Sequence, residues 1–139
     1  MATTTRLLRY LWAAPYTLLG LALGLLTLAF GGDGRLHFGV AEFCGGWLGR
    51  LVGRFPEPLR FSAMTLGHVI LAVDRSALRE LRSHERVHVR QYERWGILFL
   101  PAYFLSSLLQ LLRGRHPYRE NHFELQAYAA APARRRAGS

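Results

Sequence analysis

The chain has 139 residues, enough for one modest domain and too few for a large multi-lobed enzyme. Its formal charge is +9, and all eighteen basic residues are arginine. That balance suits an anionic membrane surface or nucleic acid, or simply reflects a GC-rich coding sequence. A single cysteine, Cys44, excludes an intrachain disulfide and a CxxC metal site, and reads as a small, partly buried residue rather than a nucleophile.

Residues 11–30, LWAAPYTLLGLALGLLTLAF, carry no charge and are long enough to span ~30 Å of hydrocarbon as a helix. The run exceeds the h-region of a signal peptide and no A-x-A site closes it, so residues 1–32 are expected to be a retained transmembrane anchor. Residues 34–46, with short apolar runs between glycines, predict a β-hairpin. RFPEPLR at 54–60 predicts a turn or linker, and FSAMTLGHVILAVD at 61–74 a strand ending at Asp74. From Arg75 to Trp95 the pattern predicts one helix of ~31 Å, capped by Asp74 or Ser76 and closed by Gly96. Residues 96–112 are apolar but are interrupted by Pro101 and the Ser106-Ser107 pair. The tail, 131–139, is expected to be basic and disordered.

At about 100° per residue, Arg75, Arg79, Arg82, Arg86 and Arg90 fall in one stripe of the long helix. His84 and His88 lie on the opposite side with Ala77, Leu81 and Tyr92, and Glu85 sits on its flank. The arginines are therefore expected to face water or lipid headgroups, and the histidines to face inward. Histidines at i and i+4 can share one metal ion, and the intervening glutamate lies where it can take a proton from water. The bland alternative is a pair of core histidines satisfied by hydrogen bonds.

A hydrolytic zinc site needs a third protein ligand. A histidine six residues after His88 would fit the metzincin pattern, but that position is Arg94. Downstream, RHPYRENHFELQAYAAA at 115–131 offers His116, Glu120, His122 and Glu124. The pairing of HERVH with FELQAY resembles the gluzincin metallopeptidases, and most closely their membrane-bound branch of prenyl-protein and heat-shock proteases. The resemblance covers residues 81–131.

The resemblance implies a Zn²⁺ ion held by His84, His88 and Glu124, with Glu120, one turn before Glu124, as the competing ligand. It implies Glu85 as general base and a catalytic domain over 33–130 that hydrolyses peptide bonds in a peptide or protein substrate. The strand around Leu66–Val73 is expected to pair with that substrate. Where the branch has an acid that supports a zinc-bound histidine, this chain has Tyr128; Glu120, Asn121 or Gln126 are the available substitutes. Tyr128, Tyr118 and His122 are the candidate oxyanion stabilisers, and His122 is otherwise a surface or supporting residue.

One ion shared by His88 and Glu124 requires both flanks of 96–112 to lie on one side of a membrane. Arg90, Arg94, Arg113 and Arg115 bracket that segment, so it is expected to be bent into a re-entrant hairpin, laid along the interface or packed against the first apolar helix, and not to cross. The expected fold class is thus α+β and membrane-associated: an N-terminal transmembrane helix, a small β-hairpin or sheet, the HExxH helix, the bent apolar helix, and a C-terminal helix bearing the third ligand. The arginine content weakly favours the cytoplasmic face. Anionic headgroups are the expected partners of Arg75, Arg79, Arg82, Arg86 and Arg90. Nucleic acid is not, because no zinc-finger, RNP or helix-turn-helix pattern is present. Two other readings are a catalytically inactive membrane protein with a structural or vestigial metal site, and a basic lipid-surface module.

Overall fold

The computed structural model describes residues 2–56 and 61–130; part of the expected linker, 57–60, and the basic tail, 131–139, lie outside them. The chain is α+β. Helix α1 (Ala2–Ala29) leads into strands β1 (Gly32–His37) and β2 (Val40–Gly45), then helix α2 (Trp47–Val52). Strands β3 (Ala63–Leu66) and β4 (Val69–Ala72) precede helix α3 (Arg75–Trp95). A single 3-10 turn (Gly96–Leu98) joins α3 to α4 (Phe99–Leu112), and α5 (His122–Ala130) follows.

The four strands form one mixed sheet in the order β1-β2-β4-β3. β1 and β2 are the expected antiparallel hairpin, with His37 opposite Val40. β2 and β4 run parallel and β3 and β4 antiparallel, so β4 is central. All four β4 residues are buried, as a strand covered on both faces requires. Ile70 and Ala72 join Val40, Cys44, Ala77, Leu78 and Val89 beneath α3. Val69 and Leu71 point the other way, with Phe43, Leu48, Val52 and Leu66, beneath α1 and α2.

The single strand expected over 61–74 is instead two strands. Gly67, with φ of +59°, turns the chain back between β3 and β4. α1 pins this turn: the His68 N–H donates to Thr17 Oγ1 at 3.1 Å, and Tyr10 stacks on the His68 ring at 3.9 Å. As a result β4 has both edges occupied, and β3 is the edge strand beside the site, with its Thr65 carbonyl accepting from the Tyr92 hydroxyl at 3.0 Å. The segment Leu66–Val73 therefore cannot accept a substrate strand along its length.

α1 is not a detached anchor. Its C-terminal half lies across the sheet on small residues, Gly20 against Leu66 and Val69 and Gly24 against Phe43. Its N-terminal half continues to α3, where Ala13 joins Tyr92, Phe99 and Phe123 in one buried cluster. The opposite face of α1 is exposed and rich in leucine, Leu18 and Leu25 included. Two helical stretches, Thr3–Ala29 and Arg75–Leu112, contain windows long and apolar enough to cross a bilayer by length and composition.

α3 is capped as expected, with Asp74 Oδ1 accepting the Ala77 N–H at 2.7 Å and Gly96 donating back to the Tyr92 carbonyl. Its arginine stripe is only partly open. Arg82 Nε donates to the buried Glu42 at 2.8 Å, and Arg86 donates to the carbonyls of His37 and Phe38. Arg75 pairs with Asp33 at 2.7 Å. The stripe thus clamps the β1–β2 hairpin along much of its length, leaving Arg79 and Arg90 as its exposed members without such a bond in the described residues.

The helical break falls at the start of the apolar segment, where Gly96 was expected to close α3, and not at the interruptions expected within it. Gly96–Leu98 supplies the break, whereas Pro101 and Ser106-Ser107 lie inside a continuous α4. Pro101 is in the first turn of α4, where a missing N–H removes no helix bond. The serines belong to a polar seam, Tyr103, Ser106, Ser107 and Gln110, spaced to share one face. α5 docks on that seam: Asn121 Nδ2 donates to Ser107 Oγ at 2.7 Å and to the Tyr103 carbonyl at 2.9 Å. The His122 N–H donates to Ser106 Oγ at 2.9 Å.

Candidate metal centre

α3 turns His84, Glu85 and His88 toward β3 and α5, and all three are buried. Glu124 enters from the first turn of α5 and is also buried. Asn121 fixes that entry, since its Oδ1 accepts the Phe123 N–H at 2.9 Å and caps the helix.

Three donors converge. His84 Nε2 lies 2.9 Å from Glu124 Oε2 and 3.3 Å from His88 Nε2. His88 Nε2 lies 3.3 Å from Glu124 Oε1. A tetrahedral set around zinc at ~2.0–2.1 Å has ligand–ligand edges of ~3.3 Å. The two imidazole nitrogens are at that spacing and the Glu124 carboxylate meets each of them through a different oxygen, a donor set whose chemistry fits such an ion. Glu85 has a carboxylate oxygen within 4.8 Å of the ligating atoms of both histidines.

Hydrogen-bond logic fixes the tautomer of His88. Gln91 Nε2 donates to the Phe123 carbonyl at 3.0 Å and to Gln126 Oε1 at 2.8 Å. Its Oε1 must therefore accept from His88 Nδ1, 2.8 Å away, which leaves a lone pair on Nε2. His84 has no equivalent support: its Nδ1 is buried without a partner, and the Tyr128 ring lies 4.4 Å from its own. The Tyr128 hydroxyl instead meets that of Tyr118 at 3.2 Å.

The electrostatics follow from burial and proximity. Burial pushes the Glu85 carboxyl above its usual range, against the opposing pull of His88, a 2.7 Å hydrogen bond from Thr65 Oγ1, and His84. For His88, burial disfavours the charged ring, but Glu124 and then Glu85 outweigh it and the pKa is raised. Burial likewise opposes ionisation of Glu124, yet His84 and His88 hold its pKa down to about 2.

Among the other expected residues, Glu120 is exposed and lies in the turn before α5 rather than on its helical face, so it does not join the cluster. His122 is exposed, with its ring beside Phe123. Gln126 reaches His88 only through Gln91. His116 caps the 117–120 turn, its Nδ1 accepting from the Tyr118 and Arg119 N–H groups.

Sequence reasoning missed three contributors, Thr65, Gln91 and Tyr103; Asn121, named as a substitute for the supporting acid, instead caps α5 and ties it to α4. Tyr103 donates its hydroxyl to Glu124 Oε1 at 2.8 Å. The polar seam in an otherwise apolar segment was the available signal for Tyr103; Thr65 gave none, because its bond to Glu85 spans twenty positions of chain. Two surface grooves around Arg6, Arg9, Trp12 and Glu93 lie away from the cluster. No family model, curated protein or solved structure matches the chain.

Proposed function

We propose that the protein is a membrane-bound zinc metallopeptidase of gluzincin type, with His84, His88 and Glu124 as metal ligands and Glu85 as general base. The observation that carries this reading is the convergence of the two histidine Nε2 atoms, 3.3 Å apart on α3, on the Glu124 carboxylate of α5, whose Oε2 lies 2.9 Å from His84 and whose Oε1 lies 3.3 Å from His88. When bound, zinc would polarise water and a substrate carbonyl. Glu85, buried and raised in pKa by that burial, is suited to take a proton and return it to a leaving amine. Thr65 holds the Glu85 carboxylate in place while remaining part of β3. β3 is the edge strand beside the site, where an extended peptide would pair with the outward backbone groups other than the Thr65 carbonyl, which Tyr92 holds at 3.0 Å.

We assign α1 to the membrane through its exposed leucine face, and α4 to the interface or to a re-entrant position. Packing of α3 on α5, through Gln91 and Phe123, supports having both flanks of α4 on one side. Arg79 and Arg90, with Arg94 and Arg113, are positioned for anionic headgroups, and a cytoplasmic location suits that charge. Elemental analysis with a peptidase assay tests the reading. Wild type should carry about one zinc per chain and cleave peptides, whereas Glu85→Gln should keep the metal and lose turnover. Metal bound without turnover in wild type would favour a structural or vestigial site, the reading to which the unsupported His84 Nδ1 points.

A further inference from the structure

We propose that Tyr103, delivered by the apolar helix α4, is a positioning residue for Glu124 and sets the affinity and geometry of the metal centre. The inference rests on the metal-centre reading and deepens it. A glutamate carboxylate turns freely about its last torsion, because that torsion has broad, roughly two-fold minima. Glu124 is held against such rotation from two sides. Its Oε1 accepts from Tyr103 at 2.8 Å, and its Oε2 is directed at His84 Nε2 at 2.9 Å. The phenol therefore fixes Oε1, which also lies 3.3 Å from His88 Nε2, and with it the direction of Oε2 toward His84.

Tyr103 is itself fixed. Its ring packs with Phe99 and Phe123, at centroid distances of 5.9 and 6.3 Å. Its carbonyl accepts from the fully buried Asn121, whose side chain also binds Ser107. The same α4 seam thus anchors the start of α5 and restrains the carboxylate that α5 carries. Supporting hydrogen bonds of this kind change metal affinity by about ten- to a hundred-fold when removed.

The test uses the full chain in lipid nanodiscs, titrated with Zn²⁺ against a chelator and with Co²⁺ monitored by visible absorption. Tyr103→Phe keeps the ring and its packing. It should weaken Zn²⁺ binding by about ten-fold or more and alter the Co²⁺ bands, because the carboxylate is no longer restrained. Ser107→Ala loosens the seam without touching Glu124, and should lower the melting temperature while leaving the Co²⁺ spectrum as in wild type. If Tyr103→Phe matches wild type in affinity and spectrum, the positioning role is overturned. It is equally overturned if Ser107→Ala reproduces the Tyr103→Phe changes, since general loosening then explains them. Failure of wild type to bind either ion would overturn the metal-centre reading itself, and this inference with it.

Discussion

Gln91 Oε1 accepts the Nδ1 proton of His88 at 2.8 Å, and this bond decides which ring nitrogen faces Glu124. The glutamine has no freedom to reverse, because both protons of its amide are committed to Phe123 and Gln126. Gln91→Ala should therefore release the His88 ring and weaken zinc binding by about ten- to a hundred-fold, measured by chelator competition. Gln126→Ala, one bond further out, should have a smaller effect in the same direction.

Tyr128 packs its ring 4.4 Å from that of His84, whose Nδ1 is buried without a partner among the described residues. Tyr128→Asp should supply an acceptor for that nitrogen and tighten zinc binding. Unchanged affinity in the same competition assay would mean that His84 is oriented adequately by packing alone.

The histidine–glutamate cluster makes stability depend on pH in opposite ways with and without metal. His88 is raised above its ordinary pKa of 6.5 by Glu124 and Glu85, which outweigh burial. The metal-free protein holds the resulting stabilisation fully below pH 6.5 and loses it as pH rises through the raised value. Glu124, held at about 2, loses its contribution only as pH falls from 4.5 toward that value. Zinc needs the same His88 nitrogen without its proton, so metal affinity should rise with pH. Melting temperatures with chelator should fall as pH rises above 6.5, and the increment added by zinc should grow.

Gly96 closes α3 with φ of +55°, and a Cβ there would strike the Trp12 indole of α1. Gly96→Ala should cost about 1–3 kcal/mol, from backbone strain and displacement of α1 together. Thermal unfolding in detergent would read the loss. Gly114→Ala is the control, because φ there is also positive but nothing stands in the way.

Much of α3 was readable because its signals are local. Asp74, Gly96 and the 3.6-residue periodicity lie within the segment they define, and the same periodicity turns His84 and His88 away from the arginines. The pairing of HERVH with FELQAY then pointed to Glu124. What sequence concealed depends on distant partners. FSAMTLGHVILAVD is one continuous apolar run, and its reversal at Gly67-His68 is fixed by Tyr10 and Thr17 of α1. The arginine stripe looked free for solvent because Glu42, its buried counter-ion, lies forty positions upstream of Arg82. Ser106 and Ser107 read as interruptions of a membrane segment, whereas they are the seat of α5.

The seating of α1 on the sheet bears on how the chain can be handled. Deleting the first thirty residues, a common route to a water-soluble fragment, would lay bare Phe43, Leu66 and Val69, against which Gly20 and Gly24 rest. Such a fragment should aggregate whatever detergent is withheld or added late in purification. Nor would a generic poly-leucine helix serve as a graft, since its side chains would collide with Phe43 where glycine now lets the two surfaces meet.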